Sequence, residues 1–346
     1  MNPAATLSKK ILQKAIEAEA SDIHFYPYED ETDIYFRIHG NRTFFKTIPK
    51  SHYSILMTYF KFASDMDIGE TRRPQNGTMI HRKNYSPYSL RLSTLPVNES
   101  ESLTIRILPQ QANYSLNRLF LFPYQLQKMK TWVEHKSGII LLTGPTGSGK
   151  TTTLYALLEF LLKERSYQTI TLEDPVEKKI EQILQVQINE KAGVTYQTAL
   201  KAALRHDPDI IMIGEIRDRY TAQFAFEAAL TGHLIFSTLH AKNAIGTIYR
   251  LMELGVQRHD LKQTLIAICA LELLPVNLKN QMLRRAAIME QLDGRVLEQC
   301  LDEKTQFQGI DFQSFNHLRK KAYAYGYISK EAFQQSKKQI KKRSPN

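Results

Sequence analysis

Gly144-Pro145-Thr146-Gly147-Ser148-Gly149-Lys150-Thr151 fits the pattern G-x-x-x-x-G-K-[ST] at every fixed position. Those residue types suit a phosphate chain. Glycines let the backbone turn its N–H groups inward, and a helix starting at the loop adds partial positive charge. Lys150 would reach the β- and γ-phosphates and Thr151 would ligate Mg²⁺, so the expected ligands are ATP and Mg²⁺. All eight residues, Gly144, Pro145, Thr146, Gly147, Ser148, Gly149, Lys150 and Thr151, are assigned to nucleotide binding.

A phosphate loop alone does not hydrolyse ATP, because something must orient water and help hold the metal. The buried-type run Ile210–Ile213 ends in Gly214-Glu215. Glu215 is the first choice for that work, both as catalytic group and as Mg²⁺ partner, on a strand expected beside the loop's own strand. Glu173, in Glu173-Asp174-Pro175-Val176-Glu177, follows another β-run and is the second acid. A single acid in such a place equally reads as a loop carboxylate or helix cap. His233 and His240 flank the run Leu234–Ser237. Either could sense the γ-phosphate or be a polar loop residue, and neither stands at metal-ligand spacing with Cys or carboxylates.

The elements that must position these residues are legible as alternating patterns. Strands are expected at Gly138–Thr143, Thr169–Leu172, Ile210–Ile213 and Leu234–Ser237, with a helix from Thr151 to Glu164 and other helices between strands. This α/β alternation predicts a parallel sheet covered on both faces. The region after about residue 255 reads as mostly helical. Ahead of residue 109 lies a different texture: an amphipathic helix over 5–19, then runs Ile23–Tyr26, Asp33–Ile38, Thr43–Ile48, Ser89–Leu95 and Leu103–Leu108, with a helix over 51–68. The reading is therefore a small α+β domain at 1–108, a polar linker at 109–118, and a larger P-loop domain at 119–346 with a helical C-terminal part and a basic tail.

The 346 residues carry a net charge of +11. It is concentrated: from His317 to Asn346 there are nine Lys/Arg against one acid, Glu331. That end reads as a solvated charge run, with 331–346 too poor in apolar residues to join a core, or as a contact for nucleic acid or an acidic membrane surface. Two cysteines, Cys269 and Cys300, are far apart, which disfavours a disulfide framework or zinc site and fits a reducing cytosol. The longest strongly apolar stretch, Leu265 to Val276, is interrupted by Glu272 and is too short to span a bilayer, so membrane contact would be peripheral.

Three further segments carry a family resemblance. Thr171–Glu177 resembles the "Asp box" of the secretion and type IV pilus ATPases. Leu204–Asp218 is similar to their atypical Walker B, and Thr231-Gly232-His233 through Ser237-Thr238-Leu239-His240 to their "His box". Ala20–Phe25, Phe36–Gly40 and Leu90–Pro96 resemble the family's PAS-like domain. The resemblance spans roughly residues 15–268. It implies a RecA-like P-loop ATPase domain with a smaller N-terminal PAS-like α+β domain. It also implies that Arg91 and Arg106, otherwise readable as exposed strand arginines, reach the nucleotide. His240 takes a γ-phosphate role on the same ground.

Pro74-Gln75-Asn76-Gly77 resembles assembly more than retraction members, and the short form without a four-cysteine element resembles the ATPase of the DNA-uptake pilus of Gram-positive bacteria. Leu271-Glu272-Leu273-Leu274 departs from the family's usual Gln-Arg-Leu run. The implied setting is a homohexamer at the cytoplasmic face of the membrane, peripherally associated, working with an inner-membrane platform protein to assemble a pilus. Retraction, or a nucleic-acid-stimulated motor, is the alternative. Without aromatic–basic interleaving in the motif boxes, no stable direct nucleic-acid binding is expected.

Overall fold

The computed structural model describes residues 3–38, 40–83, 86–97, 100–109, 115–276, 284–302 and 312–334. The chain forms two compact units. One comprises Met1–Ala112 with Glu177–Lys179, the other Asn113–Val176 with Ile180–Asn346.

In the first unit, α1 (Pro3–Glu17) precedes β1 (Ala20–Pro27), β2 (Glu31–Ile38) and β3 (Asn41–Pro49). Then follow α2 (Lys50–Ala63), β4 (Gln75–Lys83), β5 (Ser86–Val97) and β6 (Ser100–Pro109). The strands make one antiparallel sheet in the order β3-β2-β1-β6-β5-β4. Ala4, Ser8, Ile11, Leu12 and Ala15 line one stripe of α1, the spacing a helix needs to bury one face. Of these, Ile11, Leu12 and Ala15 pack with Phe25, Phe60, Leu90, Leu92, Leu103 and Ile105 into one core.

The expected helix 51–68 stops at Ala63. Ser64 Oγ donates to Phe60 O at 2.6 Å, and Asp65 takes φ +58°, a left-handed residue that the helix cannot continue through. Strand β4 has no counterpart in the sequence reading, because all its residues are half-buried or exposed and no apolar alternation marks it. A buried ion pair ties this unit together: Lys61 Nζ lies 2.5 Å from Glu101 Oε2, with side chains 1% and 5% exposed.

The second unit begins with α3 (Pro123–Trp132), β7 (Gly138–Thr143), α4 (Lys150–Glu164), β8 (Thr169–Glu173) and β9 (Leu184–Gln187). It continues through α5 (Tyr196–Ala203), β10 (Ile210–Ile213), α6 (Arg219–Leu230), β11 (Leu234–Leu239), α7 (Ala244–Glu253) and α8 (Arg258–Thr264). It ends with β12 (Leu265–Val276), β13 (Arg284–Asp293), α9 (Gly294–Leu301) and α10 (Phe315–Ala324). The sheet order is β13-β12-β7-β11-β10-β8-β9. Every pairing is parallel except β12 with β13. Alternate residues feed opposite layers. Ile139, Leu141, Ile211 and Ile213 join one core cluster, while Ile140, Leu142, Ile210 and Met212 join the other. This is the two-sided burial that a parallel sheet requires.

Three expectations need correction. The segment after residue 255 is not mostly helical, since β12 and β13 form a ten-pair antiparallel ribbon, with β12 also paired to β7. A strand buried on both faces is a continuous apolar run, and periodicity cannot tell it from a buried helix. Glu215 follows β10, which is one strand removed from β7, because β11 lies between them. Finally, the solvated tail does not begin at residue 331: Phe333 stacks on Tyr323 at 5.0 Å between centroids. Residues 335–346 and 110–114, most of the tail and half of the linker, lie outside the described residues.

Candidate active site

Strand β7 delivers the chain directly into the glycine loop. Gly144, Gly147 and Gly149 take φ of +141°, +79° and +96°, which side chains disfavour. At Gly144 the demand is also steric, since a Cβ would lie 2.6 Å from Ser148 Oγ and 2.7 Å from Leu271 O. Gly149 then caps α4, so Lys150 is the first helical residue. Its side chain folds back under the loop, and Nζ donates to Gly144 O at 2.8 Å and Pro145 O at 3.1 Å. Burial pushes the Lys150 ammonium below its ordinary range, while the charge of Glu215 pulls it back up. Ser148 Oγ is buried with no hydrogen-bond partner. An orphaned hydroxyl, a lysine and a helix N-terminus around left-handed glycines fit an anionic phosphate chain. Thr151, partly buried, is the next residue of α4.

The acids come from the carboxyl ends of β8 and β10, stitched together by the backbone. Gly214 N donates to Leu172 O at 2.8 Å. Thr238 Oγ1 donates to Gly214 O at 2.8 Å, and Ile216 N to Thr238 O at 2.9 Å. These bonds fix Glu215 between two strand ends. Its Oε1 lies 3.1 Å from His240 Nε2, and its Oε2 accepts from Arg217 Nε at 2.6 Å. Arg217 reaches on to Asp174 Oδ2 at 3.4 Å, and the hydrogen bond to Glu215 pushes its guanidinium above the usual range. The three motif boxes therefore meet: Asp174, Glu215 with Arg217, and His240 form one chain of polar contacts at the sheet's carboxyl edge.

Two candidates have other surroundings. Glu173 is 3% exposed. Its carboxylate accepts from the hydroxyl of Tyr155, from Thr171 Oγ1 at 2.6 Å and from Gln185 Nε2 at 3.2 Å. Those donors bind α4, β8 and β9 together. His233 sits at the start of β11, opposite His240, with Nδ1 at 3.1 Å from both Thr231 Oγ1 and Ala228 O; the structure does not bring it to the loop. The sequence reading missed Arg217. The signal was its position two residues after Glu215, where both carboxylate and guanidinium leave the same loop. It also missed Leu271 and Leu273, which wall the glycine loop.

Within the first unit, Arg91 and Arg106 are direct partners across β5 and β6. Their strand neighbours Leu90, Leu92, Ile105 and Ile107 are buried, so both arginines stand on the face away from the core. Arg91 Nη2 lies 3.2 Å from Glu177 Oε1, and Arg106 Nε lies 2.9 Å from Asp22 Oδ1. Among the described residues no three His, Cys, Asp or Glu side chains group as a metal site. Magnesium held against nucleotide phosphates needs only one or two protein ligands. No helix among the described residues is long and apolar enough to cross a membrane.

Comparison with known proteins agrees with this geometry. The family profile described as "Type II/IV secretion system protein" matches residues 1–321. Competence protein ComGA of Bacillus subtilis is 41% identical over 343 residues, covering 95% of this chain and 96% of that protein. Competence protein ComGA of Halalkalibacterium halodurans is 42% identical over 338 residues, covering 94% and 96%. A solved structure of the pilus retraction motor PilT with bound ADP superposes with a TM-score of 0.74 at 27% identity, covering 98% of this chain and 97% of that one. With the glycine loop, the three boxes and the two-sided parallel sheet in place, the chain belongs to the type II/IV secretion system protein family.

Proposed function

We propose that the chain is an ATP-hydrolysing motor that assembles a type IV-like pilus of the DNA-uptake kind. The observation that carries the reading is the contact chain His240–Glu215–Arg217 at the sheet edge that also bears the glycine loop, with Glu215 felt electrostatically by Lys150. Gly144, Pro145, Thr146, Gly147, Ser148, Gly149, Lys150 and Thr151 hold the triphosphate. Lys150, sequestered on the loop's own carbonyls, transfers to phosphate oxygens when nucleotide enters. Thr151 and Glu215 are the residues that would hold Mg²⁺, which when bound neutralises phosphate charge. Glu215 orients the attacking water, with Arg217 and His240 fixing both of its oxygens, and Glu173 anchors the sheet edge beneath it. Arg91 and Arg106 supply guanidinium charge to the γ-phosphate.

The likeness to competence proteins over nearly the whole chain supports assembly for DNA uptake. The likeness to the pilus retraction motor supports retraction as a second reading. In either case the motor acts as a homohexamer, peripherally associated with the cytoplasmic face of the membrane through an inner-membrane platform protein.

Phosphate release by the purified chain, compared with Glu215→Gln, tests the reading. We expect turnover in the parent and a loss of about 10²-fold or more in the variant. Equal rates would remove Glu215 from the chemistry. Surface pilin in cells carrying each form separates the directions of work: a Glu215→Gln strain with no fibres supports assembly, and one with excess fibres supports retraction.

A further inference from the structure

The last described part of the chain carries a surface that nucleotide chemistry does not use. Helix α10 buries Phe315, Leu318, Arg319 and Ala322. Arg319 is neutralised there, with Nε donating to Glu272 Oε1 at 2.8 Å and Nη2 bonding the other oxygen. Beyond it the chain turns outward as Tyr323-Ala324-Tyr325-Gly326-Tyr327, with every residue exposed. The three rings are 41%, 61% and 38% exposed. Lys320 and Lys330 flank them, exposed, and Lys321 holds its ammonium 4.9 Å from the Tyr124 ring centre. Glu331 is the one acid between Phe315 and Gln334, and its carboxylate is engaged by Ser329 and its own backbone. Directly afterwards the sequence adds Lys337, Lys338, Lys341, Lys342 and Arg343 with no acid.

We propose that Tyr323, Tyr325 and Tyr327, with Lys320, Lys321 and Lys330, are a docking surface for anionic lipid headgroups. It deepens the peripheral membrane association proposed above and rests on that reading for its setting. Tyrosine rings settle at the level of headgroups because one end is apolar and the other wet. Lysines on the same stretch of chain gain from the negative potential of an acidic leaflet, and ring insertion plus charge supplies the two signals that stable attachment needs.

The charge would also suit nucleic acid, but the rings are poorly arranged for it. A base stacks on a free aromatic face. One face of Tyr323 already lies parallel to Phe333, at 3°, and Tyr325 meets Tyr327 edge to face. The cations are lysines, point charges suited to scattered headgroups, rather than the planar arginines that stack on bases.

Co-sedimentation of the full chain with vesicles tests this. One set is phosphatidylcholine alone; the other carries about one-third phosphatidylglycerol. The expected result is binding to the acidic set only, weakened by salt, and reduced about tenfold or more in Tyr323→Ser/Tyr325→Ser/Tyr327→Ser and in Lys320→Gln/Lys321→Gln/Lys330→Gln. Basal ATP turnover should be unchanged in both, so failure here is separable from failure of the motor reading. Vesicle binding by both variants at the parent level would assign attachment to residues beyond 334 and overturn the proposal. So would capture of a single-stranded oligonucleotide without vesicle binding. Oxidative footprinting of the unmodified chain keeps the test open should a variant misfold: the three tyrosines become protected by acidic vesicles, and unchanged labelling overturns the assignment.

Discussion

Arg91 and Arg106 face one another directly across β5 and β6, on the side of the sheet opposite Leu90, Leu92, Ile105 and Ile107. Two guanidinium groups on adjacent strands repel unless anions separate them. Each here has a carboxylate, Glu177 for Arg91 and Asp22 for Arg106. If a γ-phosphate takes over that duty, the pair acts as one unit. Arg91→Ala is then expected to lower turnover about 10²-fold, by analogy with arginine-finger losses. Nucleotide affinity should change much less. Adding Arg106→Ala should be clearly non-additive. Singles at the parent rate in a phosphate-release assay would dismiss the pair from the mechanism.

The glycine loop gives a second expectation. Lys150→Ala should abolish turnover, because the β/γ charge loses its fixed counter-charge. Gly144→Ala should do the same for a different reason, since its Cβ meets the backbone oxygen of Leu271 at 2.7 Å and the residue would be strained at φ +141°. Isothermal titration with ATP distinguishes them from catalytic lesions: both variants should lose binding, whereas Glu215→Gln should keep it.

Glu290 on β13 ties the starts of two helices to the sheet. Its carboxylate accepts from Ala244 N, at the start of α7, at 3.3 Å and from Phe315 N, at the start of α10, at 2.6 Å. Burial raises its pKa above the ordinary 4.5 despite those bonds. The folded state therefore binds its proton more tightly than the unfolded chain does. This residue's contribution falls as pH rises from about 4.5 through the raised value and is least favourable above it. Melting curves across that interval should show the parent losing stability relative to Glu290→Gln as pH rises. A constant difference would mean that Glu290 does not titrate there.

The ion pair Lys61–Glu101 is the most deeply enclosed among the described residues of the first unit. Lys61→Met should cost about 3–5 kcal/mol in chemical denaturation of the full chain, because Glu101 is left buried without its counter-ion. Replacing both partners with apolar residues should cost less than the single change.

The elements of the candidate site were legible in the sequence because their spacing reflects backbone demands. Gly144 to Thr151 encode left-handed turns and a helix start, and β7 and β10 have the bounds their apolar runs predict. The β12–β13 ribbon was not legible, since doubly buried strands show no period. Neither was β4, whose residues bury too little to alternate visibly. Arg217 was hidden for another reason: its value lies in two partners, one of them Asp174, which are neighbours only after β8 and β10 pair.

The wall of the glycine loop has a consequence for the order in which the protein is made. Leu271 and Leu273 close the loop's flank, yet they lie over a hundred residues downstream of it and beyond every recognisable motif. A nascent chain that has emerged only as far as His240 carries the complete signature of the enzyme. In that chain β7 is still an edge strand, and the loop is open to water on the side that β12 will occupy. The flank of the loop is thus completed late in translation, when a stretch with no signature of its own pairs beside β7, the first strand of the sheet to be made.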